Sequence, residues 1–146
     1  MKAAHETMKF VNLLRAKKLR VTPIRQAILH VLAQSSQPLS VEDICSAVKK
    51  RNRNDSFDLA TLYRNMKSFE ETELVLAIDL GMGRVYYEFQ GEDRSYHHHH
   101  IVCEKCGQIE HLEVCGLEAH AKMLETMGYK NIRHKLEFTG LCKACN

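Results

Sequence analysis

Residues 97–111 read HHHHIVCEKCGQIEH, and a second Cys-x-x-Cys pair follows at Cys142 and Cys145. Four thiols therefore come as two pairs, Cys103 with Cys106 and Cys142 with Cys145, separated by 35 residues. Two thiolates three positions apart fit a tight knuckle whose backbone amides face the sulfurs. Two such knuckles supply the four tetrahedral ligands of a closed structural zinc site. Gly107, directly after the first pair, suits the turn. Disulfides would use the same cysteines, but MKAAHETMKF carries no signal-peptide pattern, which points to a reducing compartment, the cytoplasm. A redox Cys-x-x-Cys normally opens a helix after a strand, whereas EKCGQIEH reads as a turn into a strand. The histidine run is internal, unlike a purification tag.

These ligands need elements to hold them, and 146 residues can bury one good core or two small ones. With 45% hydrophobic and 27% charged residues the composition is that of an ordinary folded protein, and Leu74–Ile78, its longest apolar run, is far short of a membrane span. The net charge of +3 is unevenly placed: residues 1–90 hold 14 basic against 10 acidic side chains, residues 91–146 hold 7 against 8. The basic excess lies in the first half and suits a polyanionic partner.

That first half reads as helices followed by a hairpin. Met8, Val11 and Leu14, with Phe10 and Leu13 beside them, fall at helical spacing within residues 4–18, and Thr22-Pro23 starts a second helix with Ile24, Ala27, Ile28, Val31 and Leu32 on one face and His30 off it. Ser40 and Asp43 have capping-box spacing ahead of a third helix, in whose apolar stripe Cys45 is a small buried hydrophobe. The basic loop from Lys49 to Arg53 leads to Asp58, the cap of a fourth helix. Its Leu59, Leu62, Met66 and Phe69 are expected inward, and Tyr63, Arg64, Asn65 and Lys67 outward. Leu74, Leu76, Ile78 and Leu80 alternate, Gly81-Met82-Gly83 turns, and Val85, Tyr87 and Phe89 alternate back. This is the order of a winged helix-turn-helix, in which an exposed Tyr-Arg pair can reach phosphates and base edges.

The fold class expected is α+β, with two domains: residues 1–90, a linker at 91–96 within QGEDRSY, and residues 97–146. In the second, Leu117, Ala121 and Leu124 mark a helix ended by Gly128, and Ile132, His134, Leu136 and Phe138 alternate as a strand, with His134 a hydrogen-bonded core histidine.

RVTPIRQAIL, DLATLYRNMKSFEETELV, the histidine-cysteine stretch and the closing CKAC together resemble the ferric uptake regulator (Fur) superfamily over nearly the whole chain. The resemblance implies homodimeric, metal-dependent repressors with an N-terminal winged-helix domain and a C-terminal α/β dimerisation domain. It maps the structural zinc to Cys103, Cys106, Cys142 and Cys145, and a regulatory divalent metal, iron(II), zinc or manganese, to Glu88, His98, His100 and His111. A further metal position falls on His97, His99, Glu118 and His134. Tyr63 and Arg64 match recognition-helix contacts, Arg20 a minor-groove residue, and Lys50 lies in a loop suited to phosphates. A dimer would read an inverted repeat in double-stranded DNA. Two positions depart from the pattern: Gln37 stands where many relatives place a histidine, and His111 where many place an acid.

Other function classes fit less well. A zinc hydrolase would want HExxH, which is absent, and a deaminase a proline directly before its Cys-x-x-Cys, whereas the two prolines are Pro23 and Pro38. A purely structural zinc module would leave the basic half unexplained. Within the family, Glu88 where peroxide sensors tend to carry Asp, and no cysteine in 84–102, favour iron over peroxide or zinc as the signal.

Overall fold

The computed structural model describes residues 2–51, 57–79, 83–91, 99–112, 115–134 and 136–146, with side chains from Thr7 onward. The chain divides into two compact units, Met1–Arg94 and Ser95–Asn146. The expected turn residues Gly81 and Met82, Leu80, Arg53, most of the linker, and His97 and His98 lie outside the described residues.

The first unit runs α1 (Lys2–Ala16), α2 (Pro23–Gln34), β1 (Leu39–Ser40), α3 (Val41–Arg51), α4 (Leu59–Glu71), β2 (Val75–Asp79) and β3 (Val85–Phe89). Local chemistry sets the helix starts. The Arg25 amide donates to Thr22 Oγ1 ahead of Pro23, and the Thr61 amide donates to Asp58 Oδ1 at 2.7 Å. Ser40 and Asp43 close a reciprocal box, each backbone amide donating to the other's side chain. Helices α1 and α4 end alike. Leu19 N–H donates to the Leu14 carbonyl and Lys18 N–H to that of Arg15; Leu74 and Glu73 repeat the pattern on Phe69 and Glu70. The left-handed residues are Lys18 (φ 56°) and Glu73 (φ 57°), not the usual glycine.

The strands form an antiparallel sheet in the order β1-β3-β2, with Leu39 opposite Tyr87 and Ala77 opposite Tyr87 on the other side. Leu14, Ile28, Leu29, Ile44, Val48, Leu62, Met66, Phe69 and Leu74 are fully buried and weld the helices to this sheet. The arrangement is a winged helix-turn-helix with one extra helix in front. Two-residue β1 carries no alternation and leaves no sequence pattern.

Several side chains depart from the expected faces. Met8, Leu59 and Leu76 are exposed, while Phe10 and Leu13 are buried as expected beside Leu14, and in β2 the core takes Val75 rather than Leu76. Asn65 is buried rather than outward: it sits three residues after Leu62 and one before Met66, on the same face of α4. His30 is buried too, its ring edge-on to Phe10 at 6.1 Å between centroids. Cys45 is buried as expected.

The second unit runs β4 (His99–Cys103), β5 (Ile109–Leu112), α5 (Glu118–Thr126) and β6 (Glu137–Gly140). β4 is central, antiparallel to β5 and parallel to β6. Helix α5 ends at Gly128 (φ 93°), where Gly128 N–H donates to the Glu125 carbonyl and Tyr129 N–H to that of Leu124. The strand expected from Ile132 begins only at Glu137, so His134 precedes it and is exposed rather than a core residue. No residue of α5 is buried, and Met123, Met127, Tyr129, Phe138 and Leu141 are exposed. Among the described residues no helix is long and apolar enough to cross a membrane.

Candidate metal centre and nucleic-acid interface

The parallel pairing of β4 and β6 brings the two cysteine pairs together. Cys103, the last residue of β4, lies beside Gly140, the last of β6, and Glu104 N–H donates to the Gly140 carbonyl at 2.9 Å. Both strands therefore end side by side, and each turns directly into a knuckle. Gly107 N–H closes the first on the Cys103 carbonyl; Cys145 and Asn146 N–H close the second on that of Cys142. All four Sγ atoms lie within 4.8 Å of one another.

This geometry fits a zinc ion. Four sulfurs held ~2.3 Å from one zinc lie about 3.8 Å apart, and Cys106 Sγ stands 3.7 Å from Cys142 Sγ, far beyond disulfide bonding. Cys142 N–H donates to Cys103 Sγ at 3.3 Å, the amide-to-sulfur bond of a knuckle. The amides of Cys142 and Cys106 hold the Cys103 thiol down at about 6, so it ionises readily. Cys145 is pushed up to about 12, chiefly by its hydrogen bond with Cys142 and then Cys106. Four crowded thiols thus resist full ionisation alone, and a dication is what lets all four become thiolates.

The residues expected at the regulatory metal come from both units. His100 and His111 are directly opposed on β4 and β5, ring centroids 4.8 Å apart, with His100 buried and His111 half-buried. Glu88 belongs to the first unit, half-buried on β3 opposite Leu76. Gln37 is exposed in the loop before β1, where its backbone N–H meets Ser35 Oγ.

Of the further expected set, His99 and His134 are brought together, Nε2 to Nε2, at 3.1 Å. Their third neighbour is Cys115, a residue the sequence reading did not single out, whose Sγ is 3.2 Å from His134 Nε2. Glu118 opens α5 and is not in this group. Cys115 lies in an irregular stretch 19 residues before His134. Neither a Cys-x-x-Cys spacing nor a periodic pattern marks it.

In the first unit, Tyr63 and Arg64 are exposed on the opening turns of α4, with Lys67 beside them, and Arg20 and Lys50 are exposed elsewhere. Arg64 Nη2 donates to Thr61 Oγ1 at 3.3 Å, leaving further guanidinium donors for a partner. Thr61 also lowers the Asp58 carboxyl below its ordinary range, through its hydroxyl and then its amide. Asn65 anchors the helix from its buried side. It accepts from Arg25 Nε at 2.9 Å and donates to the Thr61 carbonyl, while Arg25 Nη1 reaches the Arg20 carbonyl. One guanidinium thereby ties α4 to the chain before α2.

A model of the Ferric uptake regulator family matches residues 16–139. The chain is 33% identical to the peroxide operon regulator of Bacillus subtilis (strain 168) over 145 residues, 99% of this chain and 96% of that protein. It is also 33% identical to that organism's ferric uptake regulation protein over 135 residues, covering 91% and 89%. Among solved structures, the ferric uptake regulator from Pseudomonas aeruginosa with manganese is similar with a TM-score of 0.76 at 26% identity, covering 92% of this chain and 98% of that one.

Proposed function

Because the chain belongs to the ferric uptake regulator family and is thereby a metal-responsive transcriptional regulator rather than an enzyme, we propose that it is an iron(II)-responsive repressor of metal-homeostasis genes. In this reading residues 1–90 bind DNA, 91–96 link, and 97–146 bind metal and dimerise, in the cytoplasm. The observation that carries the choice of metal is the opposed His100 and His111 pair. With His98 and Glu88 they make a set of nitrogen and oxygen donors containing no thiol, which suits iron(II) or manganese(II) more than a thiolate site would. Glu88 is the carboxylate contributed by the DNA-binding domain. An ion that holds it in one arrangement and not in another shifts the population toward the arrangement it binds.

Zinc at Cys103, Cys106, Cys142 and Cys145 is structural, supported by the sulfur spacing and the amide-to-sulfur bonds. The uncovered apolar side chains of α5, together with Phe138 and Leu141, suit a second copy of the chain. A symmetric pair of winged helices would present two copies of Tyr63 and Arg64 to an inverted repeat, with Arg20 and Lys50 on flanking backbone.

Peroxide sensing is the second reading, favoured by the equal identity to the Bacillus subtilis peroxide operon regulator. The test is anaerobic selection from a randomised duplex library with iron(II), manganese(II) or zinc(II) added to zinc-loaded protein, then dilute hydrogen peroxide. Iron(II)-dependent enrichment of an inverted repeat, unchanged by peroxide, is expected. Release by dilute peroxide with iron but not manganese would assign the peroxide role, and metal-independent binding would overturn both.

A further inference from the structure

We infer that the cleft between α1, α2 and the end of α3 is a binding site for a small organic carboxylate, a ligand that joins one carboxyl group to an apolar body the size of a single ring. Helices α1 and α3 each pack against α2, and the cleft is what that packing leaves open in the first unit. Its wall on α2 is Pro23, Gln26, Ala27 and His30, one stripe of the helix at three- and four-residue spacing. Thr7 and Phe10 of α1 face that stripe, and Arg51 closes the cleft from the last position of α3.

The cleft has a volume of about 230 Å³. That is far more than the single-water voids of ordinary packing, a water occupying ~30 Å³ of liquid. It is also below the roughly 300–1,000 Å³ of sites for drug-sized molecules, so the ligand is a small one. The apolar wall is rigid. Phe10 is buried, and its ring is met edge-on by His30 at 6.1 Å and by Phe89 at 6.0 Å between centroids. His30 is only 9% exposed yet borders the cleft, which puts a polar ring at its floor. A ligand would find these groups already in place, with little ordering left to cost affinity.

The lining chooses the ligand. Arg51 is exposed at the rim, and its planar guanidinium fork matches a carboxylate with two parallel hydrogen bonds. The Thr7 hydroxyl and the Gln26 amide add neutral hydrogen-bonding groups, and no carboxylate lines the cleft among the described residues, so an anion meets no repulsion there. Phe10, Pro23 and Ala27 then offer apolar surface that a bare inorganic anion would not use. With Arg51 as the sole permanent charge in this lining, a monoanion is balanced and a phosphate dianion is not. None of these residues is among those assigned to DNA or to metal, so occupancy can be read with neither added.

Benzoate titrated into reduced, zinc-loaded full-length protein and followed by amide NMR tests this directly. The shifts of Thr7, Phe10, Gln26 and His30 should saturate on one curve while those of β4 and β5 stay still. Benzyl alcohol keeps the ring without the charge, and inorganic phosphate keeps charge without the ring. Each should bind about tenfold or more weakly than benzoate, the size of a lost charge-assisted hydrogen bond. Arg51→Gln, at an exposed position that folding tolerates, should weaken benzoate by a similar factor and leave benzyl alcohol unchanged. Gln26→Leu, which fills the cleft with apolar bulk, should weaken both. No saturable shift at millimolar benzoate, either control binding as tightly as benzoate, or undiminished benzoate binding in Arg51→Gln overturns the assignment. A protein that failed to bind DNA in any metal would leave this readout intact.

Discussion

Replacing Asn65 by Ala should loosen α4, the proposed recognition helix, from behind, although Asn65 is buried on the face away from Tyr63 and Arg64. Its Oδ1 accepts from Arg25 Nε at 2.9 Å, and Asn65 is buried while Arg25 is half-buried. A hydrogen bond to a charged group contributes ~1.5–3 kcal/mol, and partial exposure of the guanidinium reduces this toward the lower end. The coupling between the two side chains should then be about 1–2 kcal/mol, with Asn65→Ala losing in addition the bond to the Thr61 carbonyl. A double-mutant cycle of wild type, Arg25→Ala, Asn65→Ala and the pair measures it. Native-state hydrogen exchange of the slowest α2 and α4 amides in the full chain supplies the free energies of the first unit alone. Duplex binding should weaken in Asn65→Ala with an unchanged salt slope, because no phosphate contact is removed. Additive effects, with coupling inside the ~0.5 kcal/mol scatter of independent sites, would refute the argument that this bridge braces α4.

Cys142→Ser should lose the structural zinc and unfold the second unit while the slowest α2 amides of the first keep their protection; full zinc content and an unchanged melt would remove the four-thiolate site. Arg64→Ala should relax base preference, whereas Lys50→Ala should weaken all sequences alike and lower the salt slope by about 1; identical behaviour of the two would mean that Arg64 meets only phosphate. Asp58 contributes its helix cap with a carboxyl held below the ordinary value of 3.8. Because the folded value is the lower one, that contribution is complete above the ordinary value and lost as pH falls through the folded one. Amide exchange at the start of α4 should accelerate in that acid range in wild type and not in Asp58→Ala. Equal acid sensitivity in both would place the titration elsewhere.

Where a few adjacent residues carry the physics, the sequence alone determined the outcome. Thr22-Pro23, Ser40 with Asp43, and Asp58 each start a helix, because capping needs only a side-chain oxygen within three residues of an orphan amide. The paired cysteines were legible for the same reason: a knuckle is local, and only a strand pairing was needed to bring two of them together. That pairing, β4 parallel to β6, was a tertiary decision, as was which side of each stripe met the core. The 3.6 period of α4 places Leu62, Asn65, Met66 and Phe69 on one face, but polarity argued Asn65 outward, and only Arg25, 40 residues earlier in the chain, makes its burial favourable. Leu59 is exposed although its spacing, one turn ahead of Leu62, puts it on the packed face, and Phe57 packs against the core just before it. The ends of α1 and α4 at Lys18 and Glu73 were invisible, since neither is the glycine that a left-handed cap normally advertises. Cys115 was the most hidden of all. It has no periodic neighbours, and its chemistry exists only because the second unit's fold carries His99 and His134 to it across 16 and 19 residues of chain.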